Sequence, residues 1–300
     1  MENNIERRHF LKSLLAVPAL TSGDLLGVAP EENPGRSHLK TSLNAFSFNE
    51  PLRAGTMTLD DLLDYCAQYN FDAVDITGYY FPKYPQVPTD EYIYHIKRKA
   101  HLLGLGISGT GIRNDFTNPD ASKRKQDIQL TKNWIECAAK LGAPVLRIFA
   151  GTLIPKEYTW QQIAEWMVSD IRECVAYGQK HGVIVAIQNH NDFIKTAGEA
   201  IKLIKMVDRE WFGLILDTGS YRQGDPYEQI AKTAPYAVNW QVKENIFVEG
   251  KEQKTDLGKL FKVIKASGYR GYLPLETLGK GDPKEKAARF IEEVRSAMGA

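Results

Sequence analysis

The sequence predicts a single α/β domain, a (β/α)₈ TIM barrel, and two observations support that prediction. Strand-like runs alternate with helical patterns eight times in about 260 residues, and eight such units are the number that closes this barrel. No G-x-G-x-x-G follows the first strand and no Walker A lysine motif occurs, so an open doubly wound sheet would lack its phosphate-binding fingerprint. Open sheets of that kind also normally stop at about five or six strands.

The composition is that of an ordinary globular protein, and it excludes several classes of protein. Of 300 residues, 43% are hydrophobic and 25% are charged, which rules out a disordered chain. Lysine and arginine number 38 against 37 acidic residues, and this net charge of +1 gives no electrostatic reason to bind nucleic acid or an anionic membrane. The sequence contains no apolar run of about 18 residues, so no membrane span is predicted. The three cysteines, Cys66, Cys137 and Cys174, are too few for a disulfide framework and are predicted to be buried.

The first 38 residues are interpreted as an export leader and a linker. The run R-R-H-F-L-K begins at Arg7, and the apolar stretch that follows, Leu14–Leu20, is too short to span a membrane. This layout resembles a twin-arginine export signal, with Glu6 where that signal usually has serine or threonine. We therefore expect a leader at 1–38, a barrel at 39–300 and a periplasmic or otherwise exported location. The alternative is that the leader forms a first amphipathic helix of the domain.

Each strand is predicted from a short apolar or β-branched run, and each helix from apolar residues at helical spacing. In chain order the predicted strands are Ser42–Phe48, Ala73–Thr77, Gly106–Gly111, Val145–Ala150, Val183–Gln188, Phe212–Asp217, Ala237–Lys243 and Tyr272–Glu276. The predicted helices are Leu59–Tyr69, Asp90–Leu103, Ser122–Leu141, Trp160–His181, Ala197–Val207, Pro226–Lys232, Leu257–Ala266 and Pro283–Ser296. Several helices end in a glycine that stops the helix before the next strand, namely Gly104, Gly142, Gly182 and Gly268.

Polar residues gather at the carboxyl ends of the predicted strands, which form the catalytic face of a barrel. On the strand Ala237–Lys243, the residues Asn239, Gln241 and Lys243 share one face, and the apolar residues between them share the other. The apolar face must meet the helices, so the polar face points into the barrel. An inward amide or charge is costly unless it is paired or binds a ligand. Arg147 on the fourth strand gives the same signal, and we expect a functional site at this end.

Several inward residues at strand ends offer oxygen, and none of them offers sulfur or imidazole: Gln188, Asp217, Gln241 and Glu276. Oxygen ligands suit hard or borderline divalent cations, so a metal held here is expected to be Mn²⁺ or Mg²⁺ rather than Zn²⁺. The two carboxylates would neutralise one such ion. The competing interpretation is a polar pocket without metal, in which Arg147 and Lys243 bridge the two carboxylates.

Five stretches follow one another along five predicted strands: LGAPVLRIFAG, HGVIVAIQNHNDF, FGLILDTGS, VNWQVKEN and GYRGYLPLET. In order and spacing the chain resembles the sugar phosphate isomerase/epimerase family, the xylose isomerase-like TIM barrels, over about 40–297. The resemblance implies a divalent metal between a Glu, an Asp, a His and a Glu on strands five to eight. Carried over by motif, these four positions are Gln188, Asp217, Gln241 and Glu276, and the first and third depart from the family.

The resemblance also implies a sugar isomerase or epimerase that removes and returns a proton next to a carbonyl. In the family's epimerases the glutamates of strands five and eight face opposite sides of the substrate carbon. A carboxamide is no general base at neutral pH, so Gln188 argues against that two-base mechanism. Glu276 is left as the single base, and Lys243, with any metal, would stabilise a developing enediolate. His190 is the one histidine expected at the mouth, where it serves as a second acid/base; the alternative is a hydrogen bond to a substrate hydroxyl or within the loop.

Further residues near the strand ends are expected to contact the substrate: Arg147, Asn189, Asp75, Tyr79, Phe116 and Ser220, the last at the position of a family histidine. Aromatic side chains at a polar pocket suit the C–H faces of sugars, and simple loop packing is the alternative for Tyr79 and its neighbours. No second basic cluster in the sequence demands a phosphate, so a free sugar, a keto-sugar or a glycoside is expected. We expect a small carbohydrate as partner and no nucleic acid, and a homo-oligomer is compatible with the sequence.

Three other functions compete with the isomerase. A lyase or hydratase acting on an oxidised sugar needs one base and carbonyl polarisation, which this reduced site supplies. A sugar-binding barrel without activity is the second, because two family ligand positions are altered. A related barrel endonuclease with three zinc ions is excluded, because that site needs many histidines and only His190 of the six lies at the catalytic face.

Overall fold

A computed structural model describes residues 38–151 and 154–299 of the chain. The predicted export leader lies almost wholly outside the described residues, so both the leader and the predicted domain boundary after residue 38 stay predictions.

Eight parallel strands close into a barrel, which confirms the predicted fold class. The barrel strands are β1 (Lys40–Asn44), β2 (Ala73–Thr77), β3 (Gly106–Gly111), β4 (Val145–Ile148), β5 (Ile184–Gln188), β6 (Phe212–Asp217), β7 (Ala237–Lys243) and β10 (Tyr272–Glu276). Between β7 and β10, the strands β8 (Asn245–Val248) and β9 (Lys251–Lys254) form a separate antiparallel hairpin. Each barrel strand pairs with the next one along the chain, and the pair β1–β10, with Lys40 opposite Tyr272, closes the ring.

Helices surround the barrel, and all but the first were predicted. They are α1 (Asn49–Ala54), α2 (Leu59–Gln68), α3 (Asp90–Leu102), α4 (Ala121–Leu141), α5 (Trp160–Lys180), α6 (Ala197–Val207), α7 (Pro226–Thr233), α8 (Leu257–Ala266) and α9 (Pro283–Gly299). Thr58, Thr159 and Thr196 begin their helices with reciprocal capping boxes, which pair backbone N–H groups that the helix itself leaves free. The predicted glycine stops are confirmed, because all four adopt positive φ angles between 69° and 85°. Within residues 38–151 and 154–299, no helix has the length and apolar character that crossing a bilayer needs.

The first strand differs from the prediction, which placed it at Ser42–Phe48. It starts two residues earlier and ends at Asn44, whose side chain accepts a hydrogen bond from the Phe46 amide at 2.9 Å. This local bond turns the backbone into a short 3₁₀ helix, Ala45–Phe48, in place of further strand pairing. The turn brings Phe46 over the open end of the barrel.

The fourth strand also ends earlier than the predicted limit at Ala150. After Ile148 the Phe149 amide donates to the Asn114 side-chain oxygen at 2.9 Å, so the backbone leaves the strand ladder. The Asn114 side chain donates in return to the Phe149 carbonyl at 2.8 Å. This reciprocal pair holds Phe149 at the mouth of the barrel.

The hairpin β8–β9 was not predicted. Its turn places Glu249 at φ 49° and Gly250 at φ 75°, the two positive φ values of a type I′ turn. All four residues of β9 are polar and exposed, so the sequence carries no alternation that would indicate a strand. Asn245 pairs with Lys254, and the hairpin therefore begins and ends at neighbouring points beside the end of β7.

The two faces of the barrel strands bury different side chains. On the outer face, Trp240 and Val242 are fully buried in the main hydrophobic core, as the alternation on β7 predicts. On the inner face, Val145, Ala186 and Ile215 form a small separate apolar cluster. On each of these three strands a polar residue follows two positions later, so a polar layer lies above an apolar floor. The three cysteines are buried, as predicted.

Candidate active site

The carboxyl ends of four neighbouring strands bring the predicted oxygen residues together. The exposed fractions are 3% for Gln188, 1% for Asp217, 6% for Gln241 and 3% for Glu276. They lie in a cavity with two adjoining parts, and His190, Lys243 and Glu276 line both parts. We call this space the barrel cavity.

A chain of hydrogen bonds ties three of these side chains to one another. The Gln188 side-chain nitrogen donates to Asp217 Oδ2 and to Gln241 Oε1, both at 2.7 Å. Asp217 Oδ1 accepts a further bond from the Gly219 amide at 2.9 Å. Each amide and carboxylate is therefore fixed by a partner on an adjacent strand or loop, which a buried polar group requires.

Lys243 connects the two carboxylates of the cavity. Its ammonium donates to Glu276 Oε1 and lies 3.4 Å from Asp217 Oδ2. Burial works to lower the pKa of Lys243, but the charges of Asp217 and Glu276 outweigh it and leave this pKa above its ordinary value. The ammonium is therefore charged at neutral pH, on the inner face of a rigid strand.

Arg147 reaches the cavity from β4 across β3. One guanidinium nitrogen donates to the Ile112 carbonyl at 2.9 Å and another to the Tyr79 hydroxyl. The guanidinium also lies over the Phe149 ring, 4.1 Å from its centroid. A Cβ atom at Gly111 would come within 2.6 Å of Arg147 Nε, so only glycine leaves this path open.

Asp75 lies deeper in the barrel than predicted and does not line the cavity. A Cβ atom at Gly109 would come within 2.9 Å of Asp75 Oδ2 and 3.2 Å of Asn239 Nδ2, so Asp75 uses space that glycine leaves on β3. Burial raises the pKa of Asp75 to about 6; Arg147 opposes this rise and Glu276 adds to it. Asp75 is therefore a buried carboxyl group in the layer beneath the site, and it is not among the residues that line the cavity.

His190 and Ser220 lie at the mouth, as predicted. The His190 ring is half exposed, and its Nδ1 lies 2.7 Å from Asp192 Oδ2. The ring also meets Phe149 edge-on, with 4.8 Å between ring centroids. Ser220 lines the cavity on the β6 side. The Nε2 side of the imidazole is left for a ligand.

Asn189 and Phe116 are placed where neither can contact a ligand in the cavity. Asn189 is fully buried, its amide donating to the Asp217 carbonyl at 3.0 Å and accepting from the Asp217 amide at 2.9 Å. It therefore ties the end of β5 to β6. Phe116 is also fully buried in the hydrophobic core. For both residues the prediction of substrate contact is corrected to a structural role, which polarity and aromaticity alone could not reveal.

Comparison with known proteins places this geometry in a family. Residues 63–296 match the family model described as xylose isomerase-like TIM barrel. The chain belongs to this family. The match includes β2 to β10 and every residue of the polar layer, and it confirms the resemblance inferred from the motifs of the sequence.

Known proteins that resemble the chain include an isomerase and an epimerase. An inosose isomerase from Halalkalibacterium halodurans is 23% identical over 233 residues, which cover 71% of this chain and 80% of the relative. A crystal structure of D-psicose 3-epimerase with D-tagatose, from Clostridium cellulolyticum H10, has a TM-score of 0.72 at 17% identity and covers 86% of this chain and 99% of that one. A crystal structure of the IOLI protein with a bound zinc atom has a TM-score of 0.69 at 16% identity, over 86% and 97% of the two chains. These solved structures show that the chain shares their barrel fold.

The donor set of this member does not fit a divalent metal as the side chains are arranged. The ammonium of Lys243 stands between the two carboxylates, and Gln241 Oε1 already accepts a bond from Gln188. Over residues 38–151 and 154–299, no group of three or more His, Cys, Asp or Glu side chains could hold a metal ion. The competing interpretation, a pocket without metal, predicted that Lys243 and Arg147 bridge Asp217 and Glu276. Lys243 does bridge them. The prediction is wrong for Arg147, which bonds the Ile112 carbonyl and the Tyr79 hydroxyl.

Several residues that line the cavity were missed in the sequence: Asn44, Phe46, Arg113, Arg222, Phe247 and Glu252. Arg113 follows β3 by two residues, so the rule of polar residues at strand ends, applied to every strand, would have found it. Arg222 packs on the Phe247 ring of the hairpin, 4.2 Å from its centroid, and no sequence signal predicted this wall.

Proposed function

We propose that this protein is a sugar isomerase or epimerase that moves a proton next to the carbonyl group of a sugar or keto-sugar. The observation that carries the proposal is the Glu276–Lys243 pair, a carboxylate beside a charged ammonium at the base of the cavity. A base and an electrophile so placed are the two groups that proton abstraction next to a carbonyl needs. Family membership and the similarity to an inosose isomerase support the same class of reaction.

Glu276 acts as the base in this mechanism. It removes the proton from the carbon beside the carbonyl, and the C–H electron pair forms a carbon–carbon double bond while the carbonyl π pair moves onto oxygen. Lys243 donates a hydrogen bond to that oxygen, and the bond strengthens as negative charge develops there. Return of the proton from Glu276 to the neighbouring carbon completes an isomerisation. Asp217 holds the ammonium in position from the other side.

An isomerisation also requires a proton to move between two sugar oxygens, and we assign this step to His190. Asp192 at 2.7 Å from Nδ1 orients the ring, which lines the cavity, and Nε2 is left for the substrate. Gln188 cannot contribute, because an amide does not accept a proton at neutral pH and both of its bonds hold neighbouring side chains. With one carboxylate base on one face of the substrate, isomerisation is favoured over epimerisation by two bases.

Hydrogen exchange tests the proposal without knowledge of the product. Candidate keto-sugars and aldoses are incubated with the protein in D₂O, and loss of the C–H signal is followed by NMR. We expect exchange with the native protein and none with Glu276→Gln, which still binds the sugar. Exchange that persists in Glu276→Gln would show that another group is the base.

The same experiment separates the competing functions. A lyase or hydratase on an oxidised sugar would share the enediolate but then expel a substituent, so the product would contain a new double bond or would have lost or gained water. A sugar-binding barrel would bind sugars, show no exchange, and lose only affinity in Glu276→Gln.

The Mn²⁺ or Mg²⁺ predicted from the sequence takes no step in this mechanism, because Lys243 occupies the space between the carboxylates. We expect exchange to survive prolonged treatment with EDTA and not to increase in excess Mn²⁺. Loss of exchange in EDTA that Mn²⁺ restores would show that the ammonium moves aside for a metal.

Export is the second part of the proposal and rests on the sequence alone. The R-R-H-F-L-K run and the apolar stretch after it support twin-arginine transport of the folded barrel. With Arg7 and Arg8 both changed to lysine, we expect the protein to accumulate in the cytoplasmic fraction of the producing cell. An unchanged distribution between the cytoplasmic and periplasmic fractions would contradict it.

A further inference from the structure

A second cleft adjoins the barrel cavity on the side of β1 to β3. It has a volume of about 470 Å³ and shares Phe46, Tyr79 and Arg113 with the barrel cavity. Its other lining residues are Asn49, Arg53, Phe81, Lys83 and Tyr84. A volume in this range is typical of sites for small molecules, and we call the space the side cleft.

The side cleft is lined by three cations and by no carboxylate. Arg53 comes from α1, Lys83 from the loop after β2, and Arg113 from the loop after β3. Among the described residues, none of the three has a carboxylate oxygen within the 4 Å of an ion pair. Elsewhere on the surface some cations do pair with acids, as Lys132 does with Glu173 at 2.6 Å. Three unpaired cations around one cleft create a positive potential directed at its interior.

The aromatic walls of the side cleft are held by the core. Phe81 and Tyr84 both pack against Trp134, with ring centroids 5.6 Å apart in each case. The Tyr84 hydroxyl also accepts a bond from the Arg113 amide at 2.8 Å. Arg113 in turn lies over the Tyr79 ring, 5.4 Å from its centroid. The cleft is thus preformed, and its rings offer flat faces to a sugar or to another apolar surface.

The polar groups of the side cleft are donors. Asn49 Oδ1 accepts a hydrogen bond from the Tyr80 hydroxyl at 2.9 Å, so the NH₂ of this amide is the part left for a ligand. Together with two guanidinium groups and one ammonium, it makes a set that recognises oxygen acceptors with negative charge.

We propose that the side cleft binds an anionic substituent, a carboxylate or a phosphate, carried by the substrate whose reacting carbon lies beside Glu276 and Lys243. The proposal rests on the proposed function for the position of that carbon. It changes the expectation from the sequence, which showed no second basic cluster and so favoured an uncharged sugar. The fold assembles that cluster from three connections that are far apart along the chain.

Binding measured by calorimetry tests the inference without turnover. D-Glucose, D-glucuronate and D-glucose 6-phosphate share a ring and differ in charge. We expect the two anions to bind about tenfold more tightly than D-glucose at low salt, and this advantage to shrink at about 0.2 M salt because the three cations are exposed. The tighter of the two anions identifies the source of the charge as a carboxylate or a phosphate.

Two variants decide whether the side cleft causes the preference. Arg53→Gln with Lys83→Gln should remove most of the advantage of the anions and leave binding of D-glucose unchanged. The matched control is Arg98→Gln, which changes an exposed arginine on α3 that lines neither the barrel cavity nor the side cleft, and it should keep the full advantage. Equal binding of all three ligands, binding of none, or an advantage that survives in the double variant would overturn the inference.

The result of the binding experiment can be distinguished from the result of the hydrogen-exchange experiment that tests the proposed function. The binding series is repeated with Glu276→Gln, for which the mechanism predicts no exchange of substrate hydrogen. If native protein shows no exchange yet prefers anions, the proposed function fails and the side cleft stands. If exchange occurs without a preference for anions, the proposed function stands and the inference about the side cleft fails.

Discussion

The two sides of the cavity mouth carry opposite charge and differ in how they are held. The side built by β5 to β10 and the hairpin presents carboxylates, namely Asp192, Asp217, Glu244, Glu252 and Glu276. The side built by β1 to β3 presents Arg53, Lys83 and Arg113 and no acid. The first side contains Lys243, whose side chain is 11% exposed and whose ammonium contacts two carboxylates.

Burial explains what this difference means for function. Asp217 and Glu276 are almost fully buried and bonded, so they keep a fixed geometry at a cost in desolvation. Arg53 and Lys83 are exposed and remain free to meet a ligand. One side is therefore suited to chemistry, where position decides the rate, and the other to recognition, where charge decides affinity. Substitutions on the two sides should separate these properties.

The largest effect is expected on the acidic side from Glu276→Gln. Loss of the only proposed base should lower kcat/KM by about 10³-fold, within the range of general-base removal, while the shape of the side chain is kept. The measurement is steady-state kinetics on whichever sugar shows hydrogen exchange. Glu252→Gln, on the hairpin wall of the same cavity, is the matched control and should change the rate less than about threefold.

The next effect is expected from Lys243→Met, in both rate and stability. Removal of the ammonium leaves Asp217 and Glu276 buried without their shared partner, which should lower the free energy of unfolding by about 3–5 kcal/mol. The rate should fall about 10²-fold or more, since the enediolate loses its donor. Urea denaturation gives the stability.

A double variant checks the reason for the loss in Lys243→Met. Asp217→Asn added to Lys243→Met should recover part of the stability but none of the activity, because it removes one of the two unpaired charges. A double variant less stable than Lys243→Met would contradict repulsion between the carboxylates as the cause.

Asp75 offers a pH-dependent effect beneath the cationic side. Its pKa of about 6 in the folded protein lies above the ordinary value of about 3.9, so folding is favoured by the protonated form. The stability that Asp75 contributes is therefore complete below pH 4 and lost as the pH rises through 6. Asp75→Asn should raise the free energy of unfolding at pH 8 by up to about 3 kcal/mol and leave it unchanged at pH 4.

The measurement for Asp75→Asn is chemical denaturation at several pH values between 4 and 8. Glu210→Gln, which neutralises an exposed acid, serves as control and should show no such trend. A gain for Asp75→Asn that is equal at pH 4 and pH 8 would rule out titration of this carboxyl as the source.

The smallest effect is expected from Tyr79→Phe, at the boundary between the two sides. The change removes the hydroxyl that accepts a bond from Arg147 and leaves the ring in place. Loosening Arg147 should raise KM about fivefold to tenfold with kcat within about twofold. Tyr94→Phe, which removes the hydroxyl of an exposed tyrosine on α3, is the control. Equal effects from both variants would indicate that the bond to Arg147 is not responsible.

The chemical side of the mouth could be predicted from the sequence because it follows from the regularity of strands. Inward residues at the ends of β5, β6, β7 and β10 are fixed by the period of two, so Gln188, Asp217, Gln241 and Glu276 were found together. What the pattern could not supply is which neighbour each side chain bonds. The competition between a metal and Lys243 for the space between two carboxylates depends on distances of a few ångströms, and these are set only by the closed barrel.

Most of the recognition side was out of reach for a different reason. Arg113 follows the end of β3 and could have been found by the strand-end rule, but Arg53 lies on the short helix α1 and Lys83 in a loop, and neither carries a signal in the sequence. Their proximity depends on where α1 and two loops come to rest around Tyr79. Asn189 shows the opposite case, because a polar residue at a strand end was found by the rule yet serves the backbone of β6.

The hairpin β8–β9 has a consequence for how such a barrel can acquire new substrates. Asn245 and Lys254 pair with each other, so the ten residues of the hairpin, 245–254, leave and rejoin the barrel at adjacent points. Such a hairpin can be lengthened, shortened or replaced while the ring of strands stays closed. Phe247 and Glu252, which lie on this hairpin, form one wall of the cavity. Selection can therefore reshape the wall that meets the ligand and leave the proton-transfer groups untouched.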